Sequence, residues 1–329
     1  MTRFVLKRIL LMILVLFGVL LFIFILSRAS GDPVPSLLGS DYTQEQYDEM
    51  YLKLGLDKPY VVQFFDYLVG VVTRLDLGTS YQSKRAVSYE VFTRFPLSLK
   101  MSLIAMAWSI PLGLFFGIMS AIKQYSALDY IVRTASMILA AAPGFWVALM
   151  LMLLFSLKLK WVPATGLSSW KCYILPAITQ GAHTVGSLTR MTRSTMLDVI
   201  RQDYIRTARS KGLNERKVML GHAFQNAAIP IVTQIGATLA RAFAGSAIVE
   251  NIFGIPGTGS FLINSIGTHD YPAVQGVVFA YSFFVCVINL LIDLTYGFLD
   301  PRIKAKYESA DAGAKRAARS FEKAQKEAA

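Results

Sequence analysis

The sequence predicts an all-α polytopic membrane protein. Of its 329 residues, 54% are hydrophobic and only 16% are charged, and the mean hydropathy is +0.47. Soluble domains carry roughly 25% charged residues. Several apolar runs reach the roughly 20 helical residues that are needed to cross a hydrocarbon core of about 30 Å. These observations exclude a large soluble core and predict six transmembrane helices.

The first predicted span, about Leu6–Ser27, is too long for a signal-peptide core and lacks a small-residue cleavage site, so we expect an uncleaved anchor. The other spans are predicted at about Leu97–Ile122, Ile131–Leu157, Cys172–Met196, Ile229–Ile252 and Ala273–Leu299. Cys172–Met196 is the least apolar and contains Gly181, His183 and Gly186. Small and polar residues are typical of spans that face other protein rather than lipid.

The segment between the first two spans is predicted to form amphipathic helices outside the membrane. Thr43 and Gln46 make a capping-box pattern, and Gly55 can end the helix that they begin. Pro59 fits the first turn of a second helix. The apolar stripe of this second helix is formed by Val62, Phe65, Val69 and Val72.

The distribution of Lys and Arg predicts the orientation, because cytoplasmic loops collect basic residues. Segment 190–217 carries eight basic residues against three acidic ones, whereas loop 253–272 has no Lys or Arg. Both termini are therefore expected in the cytoplasm, although three lysines near residue 165 run against the rule. The predicted organisation is a first helix at 1–28, an external helical segment at 29–96, a five-helix core at 97–305 and a basic cytoplasmic tail at 306–329.

The sequence offers no motif for intrinsic catalysis. The stretch Gly254–Gly259 resembles a phosphate-binding loop, but Ser260 and Phe261 stand where Lys and Ser or Thr are required. The three histidines are predicted at different depths, and no nucleophile–base pair stands out. We therefore expect a non-catalytic chain that holds no cofactor or metal of its own. The net charge of +12 reflects loop placement and does not indicate nucleic-acid binding.

The most distinctive stretch is the cytoplasmic loop between the fourth and fifth spans, at about 197–228. It is predicted to form a helix, a turn and a second helix along the membrane surface. Ala208 and Gly212 are small enough to permit close approach by another chain, and Arg209 and Lys211 offer charged contacts between them. The positive-inside bias alone explains eight cations, so the order of the residues carries the prediction of a docking surface.

This loop resembles the EAA loop of binding-protein-dependent ABC transporter permeases, above all those of the dipeptide, oligopeptide and nickel class. Supporting stretches extend over residues 1–305, and they are Gly31-Asp32-Pro33, Leu54-Gly55-Leu56-Asp57-Lys58-Pro59, Asp76-Leu77-Gly78-Thr79-Ser80, Val249-Glu250-Asn251-Ile252-Phe253, Gly254–Gly259 and Asp300-Pro301-Arg302. The loop departs from the general pattern, because Arg206 stands where an acidic residue is usual and Phe224-Gln225 replace a Leu-Pro pair.

The resemblance implies a permease subunit of an ATP-driven peptide importer in a bacterial or archaeal inner membrane. Its implied partners are a second homologous permease, two cytoplasmic ATPases that bind ATP and Mg²⁺, and an external substrate-binding protein. The implied ATPase-coupling residues are Arg206, Thr207, Ala208, Arg209, Ser210, Lys211, Gly212, Leu213 and Asn214. Nickel or an oligosaccharide is the alternative cargo, and a self-contained secondary transporter is the alternative from another class.

Two ionisable residues, Arg241 and Asp293, fall inside predicted spans, where charges are rare and are functional by default. Arg241 is expected either on the substrate path, facing a peptide carboxylate, or in an ion pair within the bundle or with the partner permease. Asp293 is expected either on the path or in a structural pair near the inner surface.

Overall fold

The computed structural model describes residues 2–39 and 41–299. The predicted tail at 306–329 and the Asp300-Pro301-Arg302 motif lie outside the described residues. The described ranges form thirteen α-helices, which are α1 (Thr2–Ala29), α2 (Val34–Leu38), α3 (Gln44–Lys53), α4 (Tyr60–Arg74), α5 (Val87–Ile122), α6 (Ala127–Ala141), α7 (Gly144–Leu151), α8 (Ile174–Ile200), α9 (Asp203–Ser210), α10 (Glu215–Lys217), α11 (Phe224–Ile252), α12 (Thr258–Gly267) and α13 (Tyr271–Leu299). Stretches of other helical types adjoin four of them, with π-helical turns at Met152–Lys158 and Val218–Ala223 and a 3-10 turn at Trp170–Tyr173.

The helix ends between the first two spans follow the local signals in the sequence. Thr43 Oγ1 accepts from the Gln46 backbone N–H, and Gln46 Oε1 accepts from the Thr43 N–H at 2.9 Å, which confirms the capping box at the start of α3. Gly55 follows the end of α3 with φ +66°, a left-handed conformation that glycine adopts without strain. Pro59 immediately precedes α4.

The third predicted span is not one continuous helix. α6 ends at Ala141, and α7 leaves it at an angle of 101°. Pro143 causes the break, because it disfavours the helical conformation for Ala142, which is extended with ψ 126°. The span predicted at Ile131–Leu157 is therefore a pair of helices bent at Pro143, and its place as one crossing stays a prediction.

Among the described residues, three helices are long and apolar enough to cross a membrane, at Val5–Ala29, Val87–Ile122 and Tyr271–Thr295. The number rises to five if each of two bent pairs is one crossing, with Ala127–Ala141 joined to Gly144–Lys158 and Glu215–Ala242 joined to Ser246–Ile252. The predicted total of six transmembrane helices therefore stays a prediction.

Helix α8, which coincides with the fourth predicted span, is not among these candidate crossings, and it packs against α5, α6, α7 and α11. Its glycines let these neighbours approach closely. A Cβ on Gly181 would lie 2.4 Å from the Trp108 ring of α5, and one on Gly186 would lie 2.6 Å from the Ser136 carbonyl oxygen of α6. A largely protein-covered helix needs less apolar surface than a lipid-facing one, which explains the polar composition of α8.

Candidate functional site

The loop between α8 and α11 is anchored by the inner face of α9. Ile205 is fully buried and Ala208 is 9% exposed, and their spacing places both side chains on the same side of the helix. They belong to one apolar cluster whose other buried members are Ala121, Leu188, Met196, Val218, Met219, Ala223, Ala227 and Ile231. Because the cluster joins α9 to α5, α8 and α11, the loop is packed onto the bundle.

Ala208 has a packing role within this chain. Its side chain faces the chain's own apolar cluster. Ala208 shares the inward face of α9 with Ile205, and its place among the ATPase-coupling residues stays a prediction. A small side chain at this position lets α9 lie close to the bundle.

Gly212 shapes the turn that follows α9. Its φ is +75°, its N–H donates to the Arg209 carbonyl at 2.9 Å, and the Lys211 N–H donates to the Thr207 carbonyl at 3.1 Å. A Cβ added to Gly212 would meet no heavy atom within 4 Å. Within this chain, glycine is required by the left-handed backbone and not by lack of space.

Arg209 and Glu215 close the turn from either side. Arg209 Nη2 donates to Glu215 Oε1 at 2.8 Å, and Arg209 Nε donates to Glu215 Oε2 at 3.2 Å. This hydrogen bonding raises the pKa of Arg209 further above its ordinary value. The Asn214 side chain accepts from the Arg216 N–H at 3.0 Å and caps α10. Sequence reasoning missed Glu215, although a carboxylate six residues after an arginine across a glycine turn was a readable signal.

The outer surface of the loop is polar and cationic. The exposed residues among the predicted coupling set are Arg206, Thr207, Arg209, Ser210, Lys211, Gly212 and Asn214, while Leu213 is half-buried. Tyr204 and Leu220 are exposed as well, at 45% and 54%, and the sequence analysis did not single them out. Arg206 has only a loose contact with Asp203, at 3.9 Å. The surface therefore presents cations and two apolar side chains together.

The second helix of the loop is continuous with the fifth predicted span. α10, the π-helical stretch Val218–Ala223 and α11 follow one another without an intervening turn. The helix-turn-helix prediction is thus confirmed by the backbone, but the helix begins well before the predicted Ile229. The turn is therefore joined to α11 by uninterrupted helical backbone.

The two predicted intramembrane charges have different surroundings. Arg241 on α11 is exposed, and its Nη2 donates to Thr238 Oγ1 at 3.3 Å. Asp293 on α13 is largely buried and pairs with Arg8 of α1, with Nη2 3.0 Å from Oδ1. Arg8 and Asp293 line part of a groove of about 470 Å³ between α1 and α13, and Arg241 is not among the residues that line it.

Sequence reasoning also missed two buried carboxylates. Asp129 lies at the start of α6, and its Oδ1 accepts from Arg193 Nε of α8 at 2.7 Å. Glu250 at the end of α11 accepts from the backbone N–H groups of Gly259 and Ser260, at 2.8 and 3.0 Å. The Glu250 carboxylate therefore caps α12, which explains the acidic residue near the glycine-rich turn.

Comparison with known protein families identifies the family to which this chain belongs. The family described as "Binding-protein-dependent transport system inner membrane component" matches residues 113–305, and the N-terminal family of the same transport systems matches residues 1–102. The chain belongs to this family. It is the permease component of a binding-protein-dependent ABC importer, as the resemblance in its sequence implied.

Two relatives match almost end to end. The glutathione transport system permease protein GsiC of Salmonella choleraesuis (strain SC-B67) is 37% identical over 308 residues, which covers 93% of this chain and 100% of that protein. The di/tripeptide transport system permease protein DppB of Pseudomonas aeruginosa (strain UCBPP-PA14) is 37% identical over 334 residues, which covers 92% and 99%.

A solved structure shares the fold. It is the MetNI methionine ABC transporter in inward-facing conformations, with a TM-score of 0.53 over 65% of this chain and 97% of that chain, at 14% identity. Membership of the binding-protein-dependent family implies in general a permease that works with ATPases and a binding protein.

Proposed function

We propose that this chain forms half of an inner-membrane path for short peptides and that cytoplasmic ATPases drive it through the loop at 203–230. The substrate class rests on the relatives, which are named for glutathione and for di- and tripeptides. The observation that carries the coupling role is the construction of the loop. Its inner face is fixed to the bundle, its turn is closed by an ion pair, and its outer face is exposed and cationic.

This construction allows the loop to act as a rigid connection between an ATPase and the helix bundle. Force applied to the outer face of α9 passes through Ile205 and Ala208 to the buried cluster, and through the turn into α11. A soft loop would absorb the same force by changing its own conformation. ATP-driven closure of the ATPases can therefore bias the bundle between two packed arrangements.

The proposed assembly contains a second homologous permease, two ATPases and an external substrate-binding protein. ATP and Mg²⁺ belong to the ATPases, and this chain supplies neither a catalytic group nor a cofactor site. We further propose that α8 is the fourth of six crossings, that α6 and α7 together form the third, and that both termini are cytoplasmic. The absence of basic residues from 253–272 and their density in 190–217 support this orientation.

Arg241 is the proposed substrate-facing residue. Arg241 is exposed in the middle of α11, the proposed fifth crossing, where contact of a charge with lipid is costly. The neighbouring α8 also exposes polar side chains, among them His183 and Arg190. For Asp293, the pairing with Arg8 favours a structural contact between α1 and α13 over a place on the path.

The proposal is tested by what remains attached to the tagged chain after gentle solubilisation. Native mass spectra are expected to show a second permease, two ATPases and a binding protein that carries a peptide mass. A Gly212→Trp chain is expected to lose its ATPases while keeping the second permease. Gly166→Trp is the matched control, because Gly166 also has a positive φ and open space but belongs to a different loop.

Retention of both ATPases and normal transport by the Gly212→Trp complex contradicts the coupling role. A chain that repeatedly purifies alone or as a homo-oligomer, and that transports without ATP, contradicts the ABC assembly and favours a secondary transporter. A binding protein that carries a metal ion or a sugar in place of a peptide contradicts only the substrate class.

A further inference from the structure

Helix α4 carries an apolar face that the rest of the chain leaves uncovered. The exposed residues on this face are Val61, Val62, Phe65, Val69 and Val72, with exposures between 43% and 72%. At about 100° per residue, these five side chains lie within an arc of about 100°. They include the stripe that the sequence predicts, but the stripe faces away from the chain and not toward it. Contiguous exposed apolar surface of this kind marks an interaction site.

The adjacent arc of α4 packs against the upper half of α1. The Phe64 ring makes edge contacts with Phe24 and Phe17, at centroid distances of 5.4 and 5.9 Å. Phe17 is the central residue of the apolar span Val5–Ala29. At 1.5 Å per residue, Phe24 and Phe17 lie about 7 and 18 Å below the Ala29 end of that span. A residue that contacts both rings lies at the depth of the hydrocarbon core.

Both ends of α4 lie near the surface on the same side of the membrane. Tyr60 shares a pocket with Arg28 and Gly31 at the outer end of α1. After α4, Gly78 lies against Pro272, the second residue of α13, with 3.2 Å between a Cβ on Gly78 and the Pro272 Cβ. The helix therefore enters and leaves on one side and does not cross the bilayer.

Polar groups of α4 gather on the remaining edge. Asp66 is exposed and pairs with Lys58 at 3.2 Å, and Thr73 is exposed on the same side about two turns further along α4. The Gln63 side chain donates to the carbonyls of Leu56 and Lys58 in the segment that covers this edge. One polar edge beside two apolar faces is the pattern of a helix that lies in the membrane interface.

We infer that α4 is embedded in the leaflet at the Ala29 end of α1, parallel to the membrane plane. Phe64 and Val71 pack on the bundle, while Phe65, Val69 and Val72 contact lipid tails. Asp66 and Thr73 remain at the level of the headgroups. The occupant of the apolar face is lipid, because that face continues the lipid-facing surface of α1, where Phe22 is 64% and Ile25 is 54% exposed. Segment 29–96 is then external only in part.

The test measures the local environment of single spin labels in the assembled transporter, reconstituted into vesicles of phosphatidylethanolamine and phosphatidylglycerol. Cys172 and Cys286 are first replaced by serine. Labels on the apolar face are placed by Phe65→Cys and Val69→Cys, and a label on the polar edge by Thr73→Cys. Leu52→Cys on α3 is the water-exposed control, and Phe22→Cys on α1 is the lipid-facing control.

Collision rates are compared for oxygen, which concentrates in lipid, and for a water-soluble nickel chelate. The ratio of the oxygen rate to the nickel rate at positions 65 and 69 is expected to match that at Phe22 and to exceed that at Leu52. The ratio at Thr73 is expected between the two controls. This readout does not depend on transport, so it stands or fails separately from the proposed peptide substrate.

Two results overturn the inference. Nickel access at positions 65 and 69 equal to that at Leu52 places α4 in water. Shielding from both probes means that a protein covers the face, as the binding protein or the second permease would. Hydrogen exchange on the unlabelled complex in the same vesicles checks against label artefacts. Rapid exchange throughout α4 likewise contradicts a lipid-embedded helix.

Discussion

Arg193 of α8 and Asp129 of α6 form a two-point ion pair, with Nε–Oδ1 at 2.7 Å and Nη2–Oδ2 at 2.8 Å. The Asp129 side chain is fully buried and also accepts from Ser120 Oγ and from the Tyr125 N–H. The contact ties the turn after α5 to the last part of α8, only ten residues before α9 begins. The pair therefore fixes the start of α6 against the part of α8 that leads into the loop at 203–230.

Loss of the Arg193 guanidinium is expected to destabilise the chain strongly. Arg193→Ala leaves the buried Asp129 carboxylate without its countercharge, and breaking a buried pair in this way costs about 3–5 kcal/mol. The measurement is the thermal unfolding midpoint of the purified complex, which is expected to fall. Arg133→Ala is the control, because Arg133 is exposed on the same helix as Asp129.

The double variant Asp129→Asn with Arg193→Gln sharpens the test, since it removes both charges together. It is expected to unfold at a higher temperature than Arg193→Ala. Equal midpoints for Arg193→Ala and Arg133→Ala would show that the pair contributes nothing beyond surface electrostatics.

Gly212 is expected to tolerate asparagine better than valine. Its φ of +75° costs an ordinary L-residue roughly 1–2 kcal/mol, whereas asparagine visits this region more readily. Peptide-stimulated ATP hydrolysis by the reconstituted complex is therefore expected to be lost in Gly212→Val and largely kept in Gly212→Asn. Gly166→Val, at another positive-φ glycine, is the control. An asparagine variant as defective as the valine variant means that close approach by the ATPase, and not backbone conformation, requires glycine.

Asp270 is expected to hold the loop between α4 and α5. Its buried carboxylate accepts from Ser80 Oγ at 2.5 Å, from the Tyr81 N–H at 3.0 Å and from the Gln82 N–H at 3.3 Å. Asp270→Ala leaves these donors without an acceptor. The cost in folding free energy is about 1–3 kcal/mol for each donor that is buried. Trypsin cleavage after the exposed Lys84 is expected to accelerate.

Asp66→Ala is the control for this proteolysis, because Asp66 is exposed and its ion pair with Lys58 is exposed too. Equal cleavage rates in the Asp270→Ala and Asp66→Ala chains contradict the anchoring role.

Features of this fold that depend on neighbouring residues were predictable, and features that depend on distant ones were not. The Thr43 capping box and the helix end at Gly55 arise from contacts within a few residues, so the sequence contains them. The Arg193–Asp129 pair joins residues 64 apart, and no local pattern specifies it. The Ala142–Pro143 break was visible as a proline, but whether a proline bends or ends a helix depends on the packing around it. Inward orientation of Ala208 likewise follows from where α9 docks.

Arg241 is expected to bind the C-terminal carboxylate of the peptide substrate. A hydrogen bond between charged groups contributes about 1.5–3 kcal/mol, so Arg241→Gln is expected to raise the KM for peptides with a free C-terminus by roughly tenfold to a hundredfold. The KM for C-terminally amidated peptides is expected to rise far less. The Arg241→Lys transporter is expected to retain most of the preference for a free C-terminus. The measurement is the uptake of labelled peptide pairs by proteoliposomes that contain the full transporter. Equal increases in KM for free and amidated peptides contradict carboxylate recognition by Arg241. Dissociation of the second permease from the Arg241→Gln complex also contradicts it, because that result places the guanidinium in an ion pair between the two permeases.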